Sequence, residues 1–336
     1  VYKFQAAVLE ELNQPFVIRE LCHSSSLDIG QVLVRVKYAG ICGAQLGEQA
    51  GIKGPDRYLP HCVGHEGGGI VEDTGPGVKY VKPGDHVVIH WRKGVGIDAK
   101  FPAYEWAEET RGAVRVGAGA NNTWQEYSIV SENRVTKIDD DVPLDIAALL
   151  GCAVTTGIGV VANDARVKIG ESVIVYGCGG VGLTILQACK LAGAYPIIGV
   201  DINPDKLRLA ANNGATHSEL YLEDHPHADV AIDTTGIPSV MERAWKSADR
   251  VCFVAQLPLD KTLSLQTIPF QSGRQLFGSD GGSTNPTVDI PKYIRLYKAG
   301  RLPIDNLITH RIKLPQLDET IADIRAGNIG RAVIEL

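Results

Sequence analysis

Glu171-Ser172-Val173-Ile174-Val175-Tyr176-Gly177-Cys178-Gly179-Gly180-Val181-Gly182 is the stretch that decides the fold. Its first half is a short apolar run. Its second half is a glycine turn of the form G-x-G-x-x-G. Beyond it Val181, Leu183, Ile185, Leu186 and Ala188 recur at helical spacing, and residues 196–200 read as the next strand, ending on Asp201. A lone glycine motif is weak, and an ordinary strand–turn–helix connection is the plain alternative. Strand before, helix after and acid at the end of the next strand make it a dinucleotide-binding turn. Gly177 permits the tight turn, Gly179 lets the backbone approach a pyrophosphate, and Gly182 lets helix and strand pack closely, with Gly180 and Val181 between them. The helix N-terminus offers free N–H groups to the phosphates. Asp201 would accept hydrogen bonds from ribose hydroxyls and repel a 2′-phosphate, so NAD is expected rather than NADP. Cys178 reads as a tolerated small residue.

Working outward, a helix runs from Asn203-Pro204-Asp205 to a stop at Gly214. Residues 230–233, 250–255 and 276–278 read as further strands, with helical stretches between most of them. This alternation predicts a doubly wound parallel sheet. Before about Lys168 the pattern differs. Val32, Val34, Val36 and Tyr38 alternate with Leu33, Arg35 and Lys37, and Gly75-Pro76-Gly77 and Lys82-Pro83-Gly84-Asp85 mark turns, as in a β-rich domain. After Gly281-Gly282 a helix is expected near 289–299, then β-like segments at 308–314 and 332–336.

A chain of 336 residues is long enough for two cores. The net charge of −6 argues against a general affinity for nucleic acid or acidic membranes. The apolar run 146–162 carries glycines and threonines and reads as a buried helix pair, since a span needs about 20 apolar residues. No segment resembles a signal peptide. Seven cysteines, an odd number at irregular spacings, do not form a secreted disulfide framework, so a cytoplasmic protein is expected.

Three distant residues share a glycine-rich setting: Gly40-Ile41-Cys42-Gly43, Gly64-His65-Glu66-Gly67 and Gly151-Cys152-Ala153. Two thiolates and an imidazole would fill three positions of a tetrahedral zinc and leave the fourth for substrate. Each alone would more often be a small core cysteine or a satisfied histidine. Their spacing does not assign them.

Taken in order, these three segments, Val154-Thr155-Thr156-Gly157, the 177–182 turn, Asp201-Ile202-Asn203, Leu307-Ile308-Thr309-His310 and Gly330-Arg331 resemble the motifs of the zinc-dependent medium-chain dehydrogenase/reductase family, alcohol dehydrogenases in particular. The resemblance covers essentially the whole chain. It implies an α/β protein with a GroES-like catalytic domain at 1–152 and 286–336 and a Rossmann NAD-binding domain, a doubly wound parallel sheet, at 153–285. It implies one catalytic zinc on Cys42, His65 and Cys152, with Glu66 beside it as an acid that approaches the metal during ligand exchange. Thr156 and Val181 resemble nicotinamide contacts, Lys206 a ribose partner and Arg331 a pyrophosphate contact. Trp91 falls where the family lines its substrate pocket. The implied reaction is hydride transfer between an alcohol and NAD, giving an aldehyde or ketone. Aldehyde reduction, oxidation of a sugar or polyol in a biosynthetic pathway, and a non-enzymatic nucleotide-binding role on the same fold are the alternatives. A homodimer or homotetramer is implied, with 275–278 as the candidate sheet edge.

The chain also departs from the family pattern. Many relatives hold a structural zinc with four cysteines in the lobe that corresponds to residues 93–120. This segment has no cysteine but carries Phe101, Tyr104 and Trp106, so aromatic packing and a single zinc are expected. Where relatives place a proton-passing Ser or Thr stands Ala44. The next position, usually Asp, is Gln45, and a frequent histidine is replaced by Gly47. Water or Glu48 is left to handle the proton, or the substrate brings its own proton-handling group, or the enzyme is impaired. Arg92 and Lys93, which follow Trp91, and Lys53 and Arg57 read either as solvated charges or as contacts to an anionic alcohol. Cys62-Val63-Gly64-His65 has metal-like spacing, but His61 and Cys62 lie in a stretch that is structural in the family.

Overall fold

Along the strand Gln31–Gly40 successive side chains point to opposite faces, and both faces are buried. Val32, Val34 and Val36 enter one apolar core and Leu33 enters another. The structure, a computed structural model, describes residues 2–107, 115–221 and 226–336. These form two units. One is Val1–Cys152 with Asn285–Ile294 and Ile308–Leu336, and the other is Ala153–Thr284 with Arg295–Leu307. Segment 295–307, which the sequence reading assigned to the first domain, packs with the second. Leu302, Ile304 and Leu307 are buried there, and Gln187 of the helix Gly180–Ala192 donates to the Pro303 carbonyl at 3.0 Å.

In the first unit Gln31–Gly40 is the central strand. It pairs with Gly67–Thr74, Tyr127–Ser131 and, near the end of the chain, Ala332–Glu335. The sheet continues through His86–Ile89 to Val135–Lys137 on one side and to His310–Lys313 on the other. A closed barrel of Tyr2–Leu9, Val17–His23, Ala103–Trp106, Val116–Gly117 and His61–Cys62 holds the second core. Tyr104 is fully buried in it, edge-on to Phe4, and its hydroxyl donates to Asn122 while accepting the Ile129 N–H. Trp106 packs against the same core. Phe101 does not share in this packing: it is 55% exposed, ahead of the strand that turns Tyr104 inward. Residues 108–114 of this lobe lie outside the described residues.

The second unit is a parallel sheet in the order His217–Leu220, Ile197–Asp201, Val173–Tyr176, Ala228–Asp233, Ala248–Phe253, Gln275–Gly278. Order reverses beside Val173–Tyr176, which places a ligand crevice at the carboxyl end of that strand. Helix Pro204–Asn212 starts as its sequence suggests: the Asn203 side chain accepts the Asp205 N–H, and proline occupies the first turn. Strand His217–Leu220 was not anticipated; His-Ser-Glu-Leu at a sheet edge has no apolar alternation to announce it. Among the described residues no single helix is long and apolar enough to cross a membrane. The expected buried pair is Leu144–Leu150 and Ala153–Gly159.

His90 was also missed. Its Nδ1 donates to the Arg92 carbonyl at 2.7 Å and its Nε2 accepts from Thr136 at 2.9 Å, which fixes the turn that carries Trp91. Burial pushes this imidazole down to about 4. The unfolded chain therefore binds the extra proton first as acid is added, so this contribution is whole above the ordinary histidine value and is lost as pH falls from about 6.5 to about 4. The loss amounts to about 3 kcal/mol. Urea unfolding across that window should show the decline, and His90→Gln should flatten it.

Candidate active site

Glycine at the three ligand segments is a matter of room. A Cβ on Gly40 would run into the Glu66 side chain, and one on Gly151 would strike the Ile89 carbonyl and Glu66. Gly64 has φ +99°, a conformation L side chains rarely adopt. These approaches let Cys42, at the start of helix Gly43–Gln49, meet His65 and Cys152. The three ligand atoms lie within 4.8 Å of one another.

The donors carry signs of a metal centre. Cys62, Cys178, Cys189 and Cys252 are all pushed up by burial, the last three to about 12. Cys42 goes the other way. The Cys152 side chain, and after it the His65 ring and Arg331, hold its thiol well below the ordinary value against the opposing push of burial. His65 Nε2 is buried without a hydrogen bond, while Nδ1 lies 2.5 Å from the Gln45 amide. Gln45 Oε1 is likewise buried without a partner. A half-turn of this amide sets Oε1 on the Nδ1 proton, satisfies both groups and leaves Nε2 with its lone pair free for a metal. Two thiols, one depressed, and one orphaned imidazole nitrogen suit zinc.

Glu66 is fully buried and lies outside that ligand group. Its carboxylate pairs with Arg331, itself buried. Ala44 is exposed on the first turn of helix Gly43–Gln49. The Trp91 N–H points to the Gly151 carbonyl, and the Arg92 guanidinium lies 5.7 Å from the Trp91 ring centre. Lys93 is exposed and paired with Asp98, and Arg57 donates to the Tyr58 hydroxyl.

In the other unit Gly177 has φ +90°, and a Cβ on Gly182 would collide with the Gly177 carbonyl. Gly179 differs: a Cβ there would meet no protein atom within 4 Å, so packing does not call for glycine and a ligand's backbone approach does. Helix Gly180–Ala192 begins with no side-chain cap, leaving the N–H groups of Gly180 and Val181 open to an anion. Asp201 is steered to the same turn, accepting the Cys178 and Asn203 N–H groups at 2.8 and 2.9 Å. Thr156 is buried on helix Ala153–Gly159, and Lys206 is half-buried on helix Pro204–Asn212.

Comparison with known proteins agrees with both halves. Residues 28–140 match the alcohol dehydrogenase GroES-like domain and residues 180–299 match the zinc-binding dehydrogenase family. The chain is 32% identical to the class-3 alcohol dehydrogenase of Cereibacter sphaeroides, over 98% of this chain and 99% of that protein. Among solved structures, an alcohol dehydrogenase zinc-binding domain protein from Burkholderia ambifaria superposes with a TM-score of 0.90 at 27% identity, covering 100% of this chain and 99% of that one. Benzyl alcohol dehydrogenase from Acinetobacter calcoaceticus gives 0.88 at 26%, with 100% of both chains covered.

Two measurements probe these assignments. Gln45→Ala should weaken zinc binding about 10- to 100-fold in a competition with a chelator, because His65 loses its orienting partner. Gly179→Ala should change stability by no more than about 1 kcal/mol yet weaken NADH binding, measured by quenching of protein fluorescence. Gly182→Ala should cost about 1–3 kcal/mol through overpacking.

Proposed function

The chain belongs to the zinc-dependent medium-chain dehydrogenase family, and from that premise we propose that it interconverts an alcohol and its aldehyde or ketone with NAD as the hydride carrier. The convergence of Cys42, His65 and Cys152 carries this reading. When bound, the zinc supplies Lewis acidity at the alcohol oxygen and the dinucleotide supplies the hydride acceptor. The protein's part is to hold and orient. The Cys42 and Cys152 thiolates and His65 Nε2 would grip the metal, and Gln45 fixes the tautomer of His65. Gln45 adds no negative charge, so His65 is a slightly weaker donor than a carboxylate-backed imidazole.

The glycine turn and the start of helix Gly180–Ala192 would take the pyrophosphate, and the Asp201 carboxylate would accept the adenosine ribose hydroxyls. The carboxylate at 201 supports NAD over NADP, because a 2′-phosphate would meet like charge. A homodimer or homotetramer formed through the edge strand Gln275–Gly278 belongs to the same reading.

Ala44 has no proton to pass. The group that takes the alcohol's proton therefore lies elsewhere, and turnover should be slower than a hydroxyl at this position allows.

Zinc analysis of protein purified without added metal should give about one zinc per chain, lost in Cys152→Ser. NADH absorbance should then rise with an alcohol for the zinc-loaded protein alone. A zinc-free, inactive protein would leave only a nucleotide-binding role. Ala44→Ser should raise kcat, up to the range of about 10²- to 10⁴-fold that general acid–base help supplies. An unchanged rate would show that no proton passes this position.

A further inference from the structure

A second convergence of ligand atoms lies in the first unit, apart from the Cys42–His65–Cys152 group. Glu48 sits near the end of helix Gly43–Gln49, Asp56 in the loop that follows, and His61 on strand His61–Cys62. One carboxylate oxygen from each acid and one imidazole nitrogen lie within 4.8 Å of one another. His61 Nε2 is 2.9 Å from Asp56 Oδ2 and 3.8 Å from Glu48 Oε1. Around a first-row ion, bonds of about 2.0–2.2 Å put neighbouring donors about 3–3.6 Å apart and opposite ones about 4–4.4 Å apart. The separations of 2.9 and 3.8 Å are close to those of neighbouring donors.

Two of the three donors are already aimed by contacts outside the group. His61 Nδ1 donates to the Cys62 carbonyl at 3.0 Å, so Nε2 is the nitrogen that faces the acids. A ring pinned by its other nitrogen to a backbone carbonyl is how metal-ligating histidines are held. Asp56 Oδ1 accepts the Tyr58 N–H at 2.8 Å, which leaves Oδ2 for the cluster. An ion pair between His61 and Asp56 alone does not account for Glu48, whose oxygen at 3.8 Å is too far for a hydrogen bond to the ring. A cation at the centre would answer both carboxylates.

We propose that Glu48, Asp56 and His61 form a second metal site for a divalent first-row cation that favours oxygen and nitrogen donors. One imidazole and two carboxylates make a harder set than two thiolates and an imidazole, so the two sites select different ions. The His61 side chain is 10% exposed and the Glu48 side chain 38%, so water completes the coordination from the Glu48 side. The site ties helix Gly43–Gln49, which begins after Cys42, to the strand that leads to His65. It therefore braces two of the three zinc-bearing segments without touching zinc.

The test is a Mn²⁺ titration of the zinc-loaded, full-length protein, followed by the electron paramagnetic resonance signal of free Mn²⁺. The expected result is one Mn²⁺ bound per chain, with zinc content unchanged and a thermal midpoint raised by Mn²⁺. Asp56→Asn and Glu48→Gln, both near-isosteric, should each weaken Mn²⁺ binding by more than about ten-fold while keeping their zinc. Absence of bound Mn²⁺, or binding that both variants retain, would overturn the site and leave a plain His61–Asp56 ion pair. Loss of zinc in Cys152→Ser with Mn²⁺ binding intact would separate the two centres.

Discussion

The buried pair of Glu66 and Arg331 is the constraint on which the first unit depends. Neither charge has water to fall back on, and a buried carboxylate without its partner costs several kcal/mol. Glu66 follows His65 directly. Arg331 leads into strand Ala332–Glu335, which pairs with Gln31–Gly40 just ahead of Cys42. One ion pair thus fixes the chain's end against two ligand segments. Arg331 also adds to the forces holding the Cys42 thiol low. The glycines at 40 and 151 follow from the same constraint, since they are the space Glu66 occupies.

Glycine does different work in the two units. Gly177 and Gly182 satisfy demands of the protein itself, a left-handed turn and a helix pressed onto a strand. A Cβ on Gly179 would press on no other segment of the protein, and close approach of a ligand to the backbone is what this position of the motif serves. Residues whose identity the fold explains and residues whose identity only a ligand explains can stand two positions apart in one motif.

What could be read from sequence followed this division. Local constraints were legible: the alternation of Val32, Val34 and Val36, the glycine turn, the Asn203 cap and the central strands of the parallel sheet. The candidate zinc ligands were legible only as a set within a family resemblance, because spacings so long carry no geometry. Relations made by tertiary packing stayed hidden. A single histidine such as His90 looks the same whether solvated or buried. The polar edge strand His217–Leu220 has no apolar face to show. Segment 295–307 goes with the second unit because Leu302, Ile304 and Leu307 find their core there, and no local pattern records that choice. Glu48, Asp56 and His61 belong to three different elements, so nothing in their order marks them as neighbours.

The placement of strand Ala332–Glu335 also bears on how the chain assembles. The first unit is a host interrupted by a guest. Its sheet closes only when Ala332–Glu335 slots between Gln31–Gly40 and His310–Lys313, a union of segments from opposite ends of the sequence. The guest's sheet draws on one run of chain, residues 173–278. Contacts of long sequence separation form slowly, because their loops must close before the contacts repay the lost entropy. Until the last strand arrives, the thiols at 42 and 152 belong to an unfinished host with no arginine opposite Glu66.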